Sequence, residues 1–329
     1  MSDAEHGKAE SLASTDHNAA KQGPPRRRRF LLAGLTALAV LVVVGLAVGL
    51  GVGLTLRNKN SDDGGDSDES NDLPVVNNSS TNASAYWRPA VGVTWNYQLL
   101  DPLTSTSTQG IQVWDIDLFN NDADIITGLQ SNGAHVVCYF SAGSYEDWRP
   151  DKGAFDETTD LGKPLQGWAG ERWLNTSSQN VRKIMQARLD MAVSKHCDGV
   201  DPDNIDAYAN ANGLGMTQAD AIDYVTFLAE QAHARNLSVG LKNAGAIVHN
   251  VIDIVDFSVN EQCTQYSECG TYAPFIEQGK PVFHVEYPKG DKTNNNQTVD
   301  ISKYCSDPAA KDFSTIIKNM NLDSWLQTC

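Results

Sequence analysis

Eight short β-rich apolar runs recur along the last three quarters of this chain, and this repetition constrains the fold most strongly. The runs cover residues 90–94, 111–115, 135–140, 199–201, 238–242, 254–259, 281–286 and 313–317. Amphipathic helical patterns lie between several of them, at 122–130, 181–195 and 218–235. Thr217 directly precedes the third pattern and is a candidate N-cap for that helix. This alternation predicts an α/β fold of the (β/α)8 TIM-barrel type. An open doubly wound sheet is the alternative, and the lack of GxGxxG after the first run counts against it.

An uncharged apolar run at residues 30–56 precedes this region and is long enough to cross a bilayer as one helix. The four arginines at 26–29 lie directly before it, and an acidic stretch follows soon after it. Positive charge on this side predicts a cytoplasmic tail at 1–29 and a single-pass plasma-membrane protein whose folded domain is extracellular. A cleaved signal peptide is the alternative, but the run is too long and lies too far inside the chain.

Residues 57–85 have the composition of a flexible linker, because they contain DDGGDSDES and few apolar side chains that could form a core. The chain carries six candidate glycosylation sites, at Asn77, Asn78, Asn82, Asn175, Asn236 and Asn296. All six follow the apolar run, which agrees with an external location for the domain at 86–329.

All six cysteines also follow the apolar run, and an even number outside a membrane indicates disulfides. Proximity in sequence favours Cys263–Cys269 and Cys305–Cys329, which leaves Cys138–Cys197. Fifteen pairings are formally available, so proximity alone does not decide among them. A zinc site is less favoured, since no CxxC pair with matching histidine spacing occurs.

The net charge of the domain restricts the classes of molecule that it is expected to bind. Residues 86–329 carry 31 acidic and 17 basic side chains, a net charge of −14. Such a field disfavours nucleic acid and anionic glycans and favours a cationic partner. Solubility alone is the other explanation of this charge.

Polar and aromatic side chains gather at the ends of the predicted strands, where the loops of a barrel carry its chemistry. These candidates are Trp95, Tyr97, Asp115, Asp117, Tyr139, Ser141, Asp201, Asp203, Asn204, Lys242, Asn243, Glu261, Glu286 and Tyr287. Aromatic rings stack on pyranose faces, and carboxylates bind hydroxyl or amino groups. The combination predicts a binding site for a sugar polymer.

Other chemistries are less consistent with these residues than a sugar site. Asp201 and Asp203 form a DxD pair, but no second acidic cluster accompanies them, so no metal is predicted. Lys242 could form a Schiff base, although acidic surroundings would keep it charged. Ser141 lacks a GxSxG elbow, which disfavours a serine hydrolase. Asp206 is expected to be a turn or cap residue.

Six segments in matching order resemble glycoside hydrolase family 114, the endo-α-1,4-polygalactosaminidases, and especially its fungal membrane-anchored members. The segments are TWNYQLL (94–100), VWDIDLF (113–119), VVCYFSAGSYEDWRPD (136–151), CDGVDPDNIDAY (197–208), GLKNA (240–244) and DFSVNEQC (256–263). The resemblance implies a (β/α)8 barrel that hydrolyses α-1,4-linked galactosamine within a galactosaminogalactan-type polymer. It implies no cofactor.

The resemblance also implies two catalytic carboxylates, which fall on Asp203 and Glu261. We assign Asp203 as nucleophile and Glu261 as general acid/base, which predicts a retaining enzyme. The catalytic domain is expected to be monomeric. The alternative from another class is a non-catalytic glycan-binding barrel at the cell surface, which would have lost one of these carboxylates.

Overall fold

The computed structural model describes residues 73–74, 86–290, 292–293 and 295–329, and its centre is a barrel of parallel strands. The eight parallel strands are β1 (Trp95–Gln98), β2 (Val113–Asp117), β3 (His135–Ser141), β7 (Gly199–Asp203), β8 (Ser238–Lys242), β9 (Phe257–Glu261), β10 (Val282–Glu286) and β11 (Ser314–Lys318). They pair in that order, and β12 (Leu326–Thr328) joins β11 antiparallel. The architecture confirms the predicted α/β barrel of TIM type.

Side-chain hydrogen bonds bring the first and last parallel strands together. The indole Nε1 of Trp95 donates to the carbonyl oxygen of Ser314 at 2.6 Å, and the Ser314 hydroxyl donates to the carbonyl of Val93 at 2.7 Å. Toward the carboxyl end of β11, Lys318 Nζ donates to Asn96 Oδ1 at 3.1 Å. The sheet is therefore nearly closed between β11 and β1.

The position of the first strand was predicted wrongly. The sequence pattern placed it at residues 90–94, whereas β1 begins at Trp95. Gly92 lies in a turn with φ of +83°, a conformation that interrupts an extended run and that glycine adopts without strain. Each of the other seven runs overlaps an observed strand, and the run at 238–242 has the bounds of β8.

The three predicted helices are present as α1 (Ala123–Ser131), α2 (Gln179–Ser194) and α3 (Gln218–His233). Thr217 caps α3 as expected: its hydroxyl accepts from the Asp220 N–H, and the Asp220 carboxylate accepts from the Thr217 N–H. The later crossovers use shorter helices. They are α4 (Val248–Val251), α5 (Cys263–Tyr266), α6 (Ala273–Glu277) and α7 (Ser302–Cys305).

A packed aromatic layer fills the lower barrel interior. The rings of Trp95 and Phe283 stack with centroids 5.0 Å apart, and Phe257 packs on Phe283 at 5.4 Å. All three side chains are almost completely buried. Large buried rings contribute much of the apolar burial of a core, so this layer forms a solid floor beneath the strand ends.

A small antiparallel sheet is inserted after β3 and rises above the barrel. It consists of β4 (Ser144–Glu146), β6 (Glu171–Leu174) and β5 (Leu161–Pro164), paired in that order. Arg149 fastens this insertion to the barrel through buried ion pairs with Asp117, at 2.6 Å, and Glu146, at 2.7 Å. Because Asp117 ends β2, the inserted sheet is held against the rim formed by the carboxyl ends of the strands.

Three disulfides are present, and they join the cysteines in the pairing expected from proximity. Cys138–Cys197 links β3 to the chain that follows α2, Cys263–Cys269 lies at the start of the α5 region, and Cys305–Cys329 ties α7 to the last residue. The first pair spans 59 residues of sequence, the last pair 24 and the middle pair 6.

The predicted cytoplasmic tail and transmembrane helix lie outside the described residues, as does most of the predicted linker. Across the residues that the structure describes, no helix is both long enough and apolar enough to span a bilayer. Two linker residues are described: Leu73 packs against the outer core, and the Asn250 amide donates to the carbonyl of Pro74 at 3.1 Å. This part of the predicted linker therefore contacts the barrel.

The disulfides should stabilise the domain in the order of the loops that they close. Chain entropy predicts that replacing both cysteines of a pair with alanine costs about 4 kcal/mol for Cys138–Cys197 and about 2 kcal/mol for Cys263–Cys269, with Cys305–Cys329 between them. Urea unfolding of the three double variants of the domain would measure these losses. Equal losses, or the reverse order, would contradict the entropic account.

Candidate active site

A cavity of about 460 Å³ opens where β3, β7, β8 and β9 end, beside the inserted sheet. It is lined by Tyr139, Lys163, Pro164, Leu165, Gln166, Trp168, Glu171, Trp173, Asp203, Asn204, Asp206, Asn210, Ala211, Lys242, Asn243 and Glu261. Both proposed catalytic carboxylates are among these residues. The inserted sheet provides one wall, and the strand ends provide the floor.

Lys242 occupies the centre of the floor. Its ammonium nitrogen lies 3.3 Å from Asp203 Oδ2, 3.4 Å from Glu261 Oε2 and 3.7 Å from Asp201 Oδ2, and the side chain is 1% exposed. The ammonium also donates to the Tyr97 hydroxyl at 2.6 Å. Burial alone would lower the pKa of Lys242, but Asp203, Glu261 and Asp201 outweigh that effect and hold it well above its usual value. Lys242 is therefore a charged positioning residue.

Asp203 is the last residue of β7, and three donors fix its carboxylate. Oδ2 accepts from the Tyr139 hydroxyl at 3.0 Å and faces Lys242, while Oδ1 accepts from the Asn204 N–H at 2.7 Å. Asn204 has a φ of +61°, so the chain turns sharply after the strand and leaves the carboxylate at the edge of the cavity. These contacts fix the orientation of the Asp203 carboxylate relative to the cavity.

Glu261 ends β9 and has a similar arrangement of partners. Oε1 accepts from the Tyr287 hydroxyl, and Oε2 accepts from the Asn243 amide at 3.2 Å. The same Asn243 side chain accepts from the Glu261 N–H at 2.9 Å, so it fixes both backbone and side chain. The side chain of Glu261 is 25% exposed, compared with 17% for that of Asp203.

Two further carboxyl groups lie beneath Lys242 inside the barrel. Asp115 and Asp201 are almost completely buried, and no described residue forms a hydrogen bond with any of their four oxygens. Burial raises the pKa of Asp201 to about 7, against the opposing effect of Lys242. Burial and the neighbouring Asp201 raise the pKa of Asp115 well above its usual value. Asp203 and Glu261 are therefore the carboxyl groups closest to the Lys242 ammonium, and Asp201 lies slightly farther from it.

The structure places several other expected site residues away from the cavity. Trp95 belongs to the aromatic floor, and Arg149 pairs with Asp117. Glu286 is fully buried and accepts from His284 and from the N–H of Thr264. Four others do not line the cavity but contact residues that do. They are Tyr97 and Asp201, next to Lys242, Ser141, next to Asn204, and Tyr287, next to Glu261. Tyr139, Asn204, Lys242 and Asn243 lie on its surface.

The sequence pattern did not indicate two charged residues of the cavity wall, Lys163 and Glu171. Both belong to the inserted sheet, whereas the sequence pattern considered only residues at the ends of the barrel strands. Burial and the neighbouring acids Glu146 and Asp203 raise the pKa of Glu171 to about 7. Asp206, expected to be only a turn or cap residue, also lines the cavity, and burial together with Asp203 raises its pKa to about 6.

The expected glycosylation sites differ in their surroundings. Asn236 is exposed in the turn before β8, with a φ of +59°. The Asn175 amide donates to the carbonyl of Thr159 at 3.1 Å, and Asn296 is exposed. Asn77, Asn78 and Asn82 lie outside the described residues.

A search for metal ligands among the described residues finds one compact group, formed by Cys263, Cys269 and His284. The two sulfur atoms form a disulfide, so they cannot act as thiolate ligands. The Nε2 and Nδ1 atoms of His284 lie within hydrogen-bond distance of Glu286 and Thr315. These residues do not fit a metal site.

Comparison with known proteins identifies relatives of the whole domain. The model of glycoside-hydrolase family GH114 matches residues 76–329. One similar solved structure is the crystal structure of Aspergillus fumigatus Ega3 in complex with galactosamine. The two sequences are 57% identical, the match covers 76% of this chain and 100% of the Ega3 chain, and the structures superpose with a TM-score of 0.72. The glycoside hydrolase domain of Pseudomonas aeruginosa PelA is 11% identical, covers 71% of this chain and 98% of its own, and shares the fold with a TM-score of 0.58. Comparison with curated proteins gave no match.

The family match covers more than half of the chain and includes every strand of the barrel and both carboxylates of the cavity. The chain therefore belongs to glycoside-hydrolase family GH114.

Proposed function

We propose that this chain is an endo-acting glycoside hydrolase that cleaves α-1,4-linked galactosamine within a cationic galactosaminogalactan-type polymer. The observation that carries the proposal is the pair Asp203 and Glu261, which flank one buried ammonium at the floor of an open cavity. The galactosamine bound to the related Ega3 supports the sugar class. Both carboxylates are retained, which disfavours a barrel that only binds glycans.

The distances support a retaining mechanism. Asp203 Oδ2 and Glu261 Oε2 lie 3.3 and 3.4 Å from the same nitrogen, so these two oxygens are at most about 6.7 Å apart. Retaining glycosidases separate their carboxyl groups by about 5–5.5 Å, and inverting ones by about 6.5–9.5 Å. The bound on these two inner oxygens is compatible with the separation of carboxyl groups in a retaining enzyme.

The roles follow from the surroundings of the two groups. Asp203 is held in place by Tyr139, Asn204 and Lys242, and its carboxylate attacks the anomeric carbon. Glu261 in its protonated form gives its proton to the glycosidic oxygen, and the bond to the leaving sugar breaks. A water molecule then loses a proton to Glu261 and attacks the sugar carbon of the ester, which releases Asp203 and restores both carboxyl groups.

The charge of the cavity agrees with a polycationic substrate. Four acidic side chains line it, Asp203, Asp206, Glu171 and Glu261, against the two lysines Lys163 and Lys242. Lys242 is buried among carboxylates, so the surface that a substrate meets is mainly acidic. Ammonium groups of deacetylated galactosamine would gain Coulomb energy there, whereas an anionic glycan would be repelled.

We also propose that the enzyme works outside the plasma membrane, anchored by residues 30–56. The support is the arginine block at 26–29, the uncharged run and the six sequons that follow it. Asn236 is exposed, so its side chain could carry a glycan.

Asp203→Asn and Glu261→Gln should each reduce kcat/KM on deacetylated polymer by at least about 100-fold, because each removes one of the two acid–base or nucleophilic groups. Reducing-end release measures the loss. The surface variants Asp124→Asn and Glu157→Gln are matched controls and should keep wild-type rates. If either cavity variant kept a tenth of the activity, a barrier change of only about 1.4 kcal/mol, that residue would not be catalytic.

A substrate with an activated aryl leaving group should separate the two roles. Such a group departs without protonation, so Glu261→Gln should recover the first step and show a burst of released aryl alcohol. Asp203→Asn should show no burst, since it cannot form the covalent sugar ester. Recovery by the Asp203 variant instead would reverse the assignment.

Salt should weaken binding of the deacetylated polymer. Ions screen charge over about 8–10 Å near physiological ionic strength, and the cavity meets its substrate largely through charge. Binding of deacetylated and fully N-acetylated oligomers to Asp203→Asn, measured by calorimetry at low and high salt, should show a salt-dependent preference for the deacetylated chain. Equal affinities that do not change with salt would rule this out.

Full-length protein on intact cells should be cut by external protease, and treatment with a glycan-removing enzyme should increase its mobility in gels. Both results follow from an anchor that leaves residues 1–29 inside. Glutamine at all six sequon positions should abolish the mobility change and leave protease access intact. A protected domain without a mobility change would overturn the topology.

A further inference from the structure

We propose that Glu171 is a specificity-determining residue that binds the ammonium group of a galactosamine unit next to the catalytic pair. This inference rests on the proposed function and assigns to the inserted sheet a role in recognising the substrate. Glu171 begins β6 and lines the same cavity as Asp203 and Glu261.

The carboxylate of Glu171 is fixed on one side only. Its Oε2 accepts from the Ser144 hydroxyl at 2.6 Å, and that hydroxyl lies 2.6 Å from the Ser141 hydroxyl. No described residue donates a hydrogen bond to Oε1, and this oxygen is not among the fully buried atoms without a partner. One oxygen is therefore held in place while the other remains accessible from the cavity.

The carboxyl group of Glu171 also has no direct ionic partner. Within the described part of the chain it forms no ion pair, whereas the nearby Glu146 is paired with Arg149 and Asp203 with Lys242. The residue is only 7% exposed, so water compensates its charge poorly. A buried carboxylate without a cation gains more from an arriving ammonium than an exposed one does.

Sugar chemistry connects this position to specificity. Galactosamine differs from galactose and from N-acetylgalactosamine in the ammonium group at C2, so a single carboxylate can distinguish it from the other two sugars. Trp168 lines the same wall and is exposed, so its ring is available for a sugar to stack on. Hydrogen bonds run from Glu171 through Ser144 to Asn204, whose N–H binds Asp203, so the carboxylate is fixed relative to the nucleophile.

A purely structural role for Glu171 makes a different prediction. If Glu171 only joined the inserted sheet to the barrel, its loss would affect stability, and all substrates equally. Glu171→Gln separates the two roles, because the amide oxygen can still accept from Ser144 while the negative charge is removed. Glu157→Gln is the matched control, since Glu157 is exposed and does not line the cavity.

The test measures kcat and KM of the wild type, Glu171→Gln and Glu157→Gln on fully deacetylated oligomers. It then measures how tightly deacetylated and N-acetylated oligomers bind to the inactive Asp203→Asn protein, with and without Glu171→Gln. We expect Glu171→Gln to raise KM, and to weaken binding of the deacetylated oligomer, by about 10-fold or more. The value of kcat should change by less than about twofold, and binding of the fully N-acetylated oligomer should not change. Glu157→Gln should match the wild type on every measure.

The outcomes are distinguishable. A wild-type enzyme that releases no reducing ends from the polymer would refute the proposed function itself. An active wild type combined with unchanged KM and binding in Glu171→Gln would refute the inference alone. An equal loss for deacetylated and N-acetylated oligomers, or a lower melting temperature that accounts for the loss, would also refute it, because Glu171 would then be structural.

Discussion

The buried ammonium of Lys242 is the interaction on which the rest of the site depends. Placing one cation in the interior costs several kcal/mol, but a carboxylate about 4 Å away returns about 4 kcal/mol at an effective dielectric constant near 20. Lys242 has three carboxyl groups within 3.7 Å, so the charged form is favoured. The same ammonium lies within 3.4 Å of both Asp203 and Glu261, so it offsets the repulsion between negative charges brought together at the rim.

Barrel topology explains how one lysine can lie between both carboxylates. Asp203, Lys242 and Glu261 are the last residues of β7, β8 and β9, which are neighbours in the sheet. Parallel strands end at the same rim, so three positions far apart in sequence become adjacent. Side chains alternate with a period of two, which places Asp201 on the face of Asp203 but one layer deeper. The layer below this pair therefore also contains carboxyl groups, Asp115 and Asp201, and burial raises the pKa of each.

Much of this arrangement could be predicted from sequence because it depends on local patterns. Seven of eight strands, three helices and the residues around Lys242 follow from periodicity and from strand ends. The errors have tertiary causes. Asp117 ends a strand like Asp203 does, but Arg149, 32 residues later, binds it and closes that position. Glu286 is similarly occupied by His284 and backbone N–H groups. No sequence pattern indicates that Glu171 lines the cavity, because its position there depends on how the inserted sheet packs against the barrel.

The inserted sheet is joined to β7, the strand that ends in Asp203, too closely to move independently of it. Gly143, between β3 and β4, packs so tightly on the loop after β7 that a Cβ atom there would lie 1.7 Å from the carbonyl oxygen of Asn204. The N–H groups of Ala142 and Gly143 both donate to the carbonyl of Asp203 at 2.9 Å. Backbone contact of this kind leaves little freedom between the wall that carries Glu171 and the strand that carries Asp203. If Glu171 binds the amine and Asp203 attacks the sugar, as we propose, both groups belong to one rigid frame, and a substrate held by one is already positioned for the other.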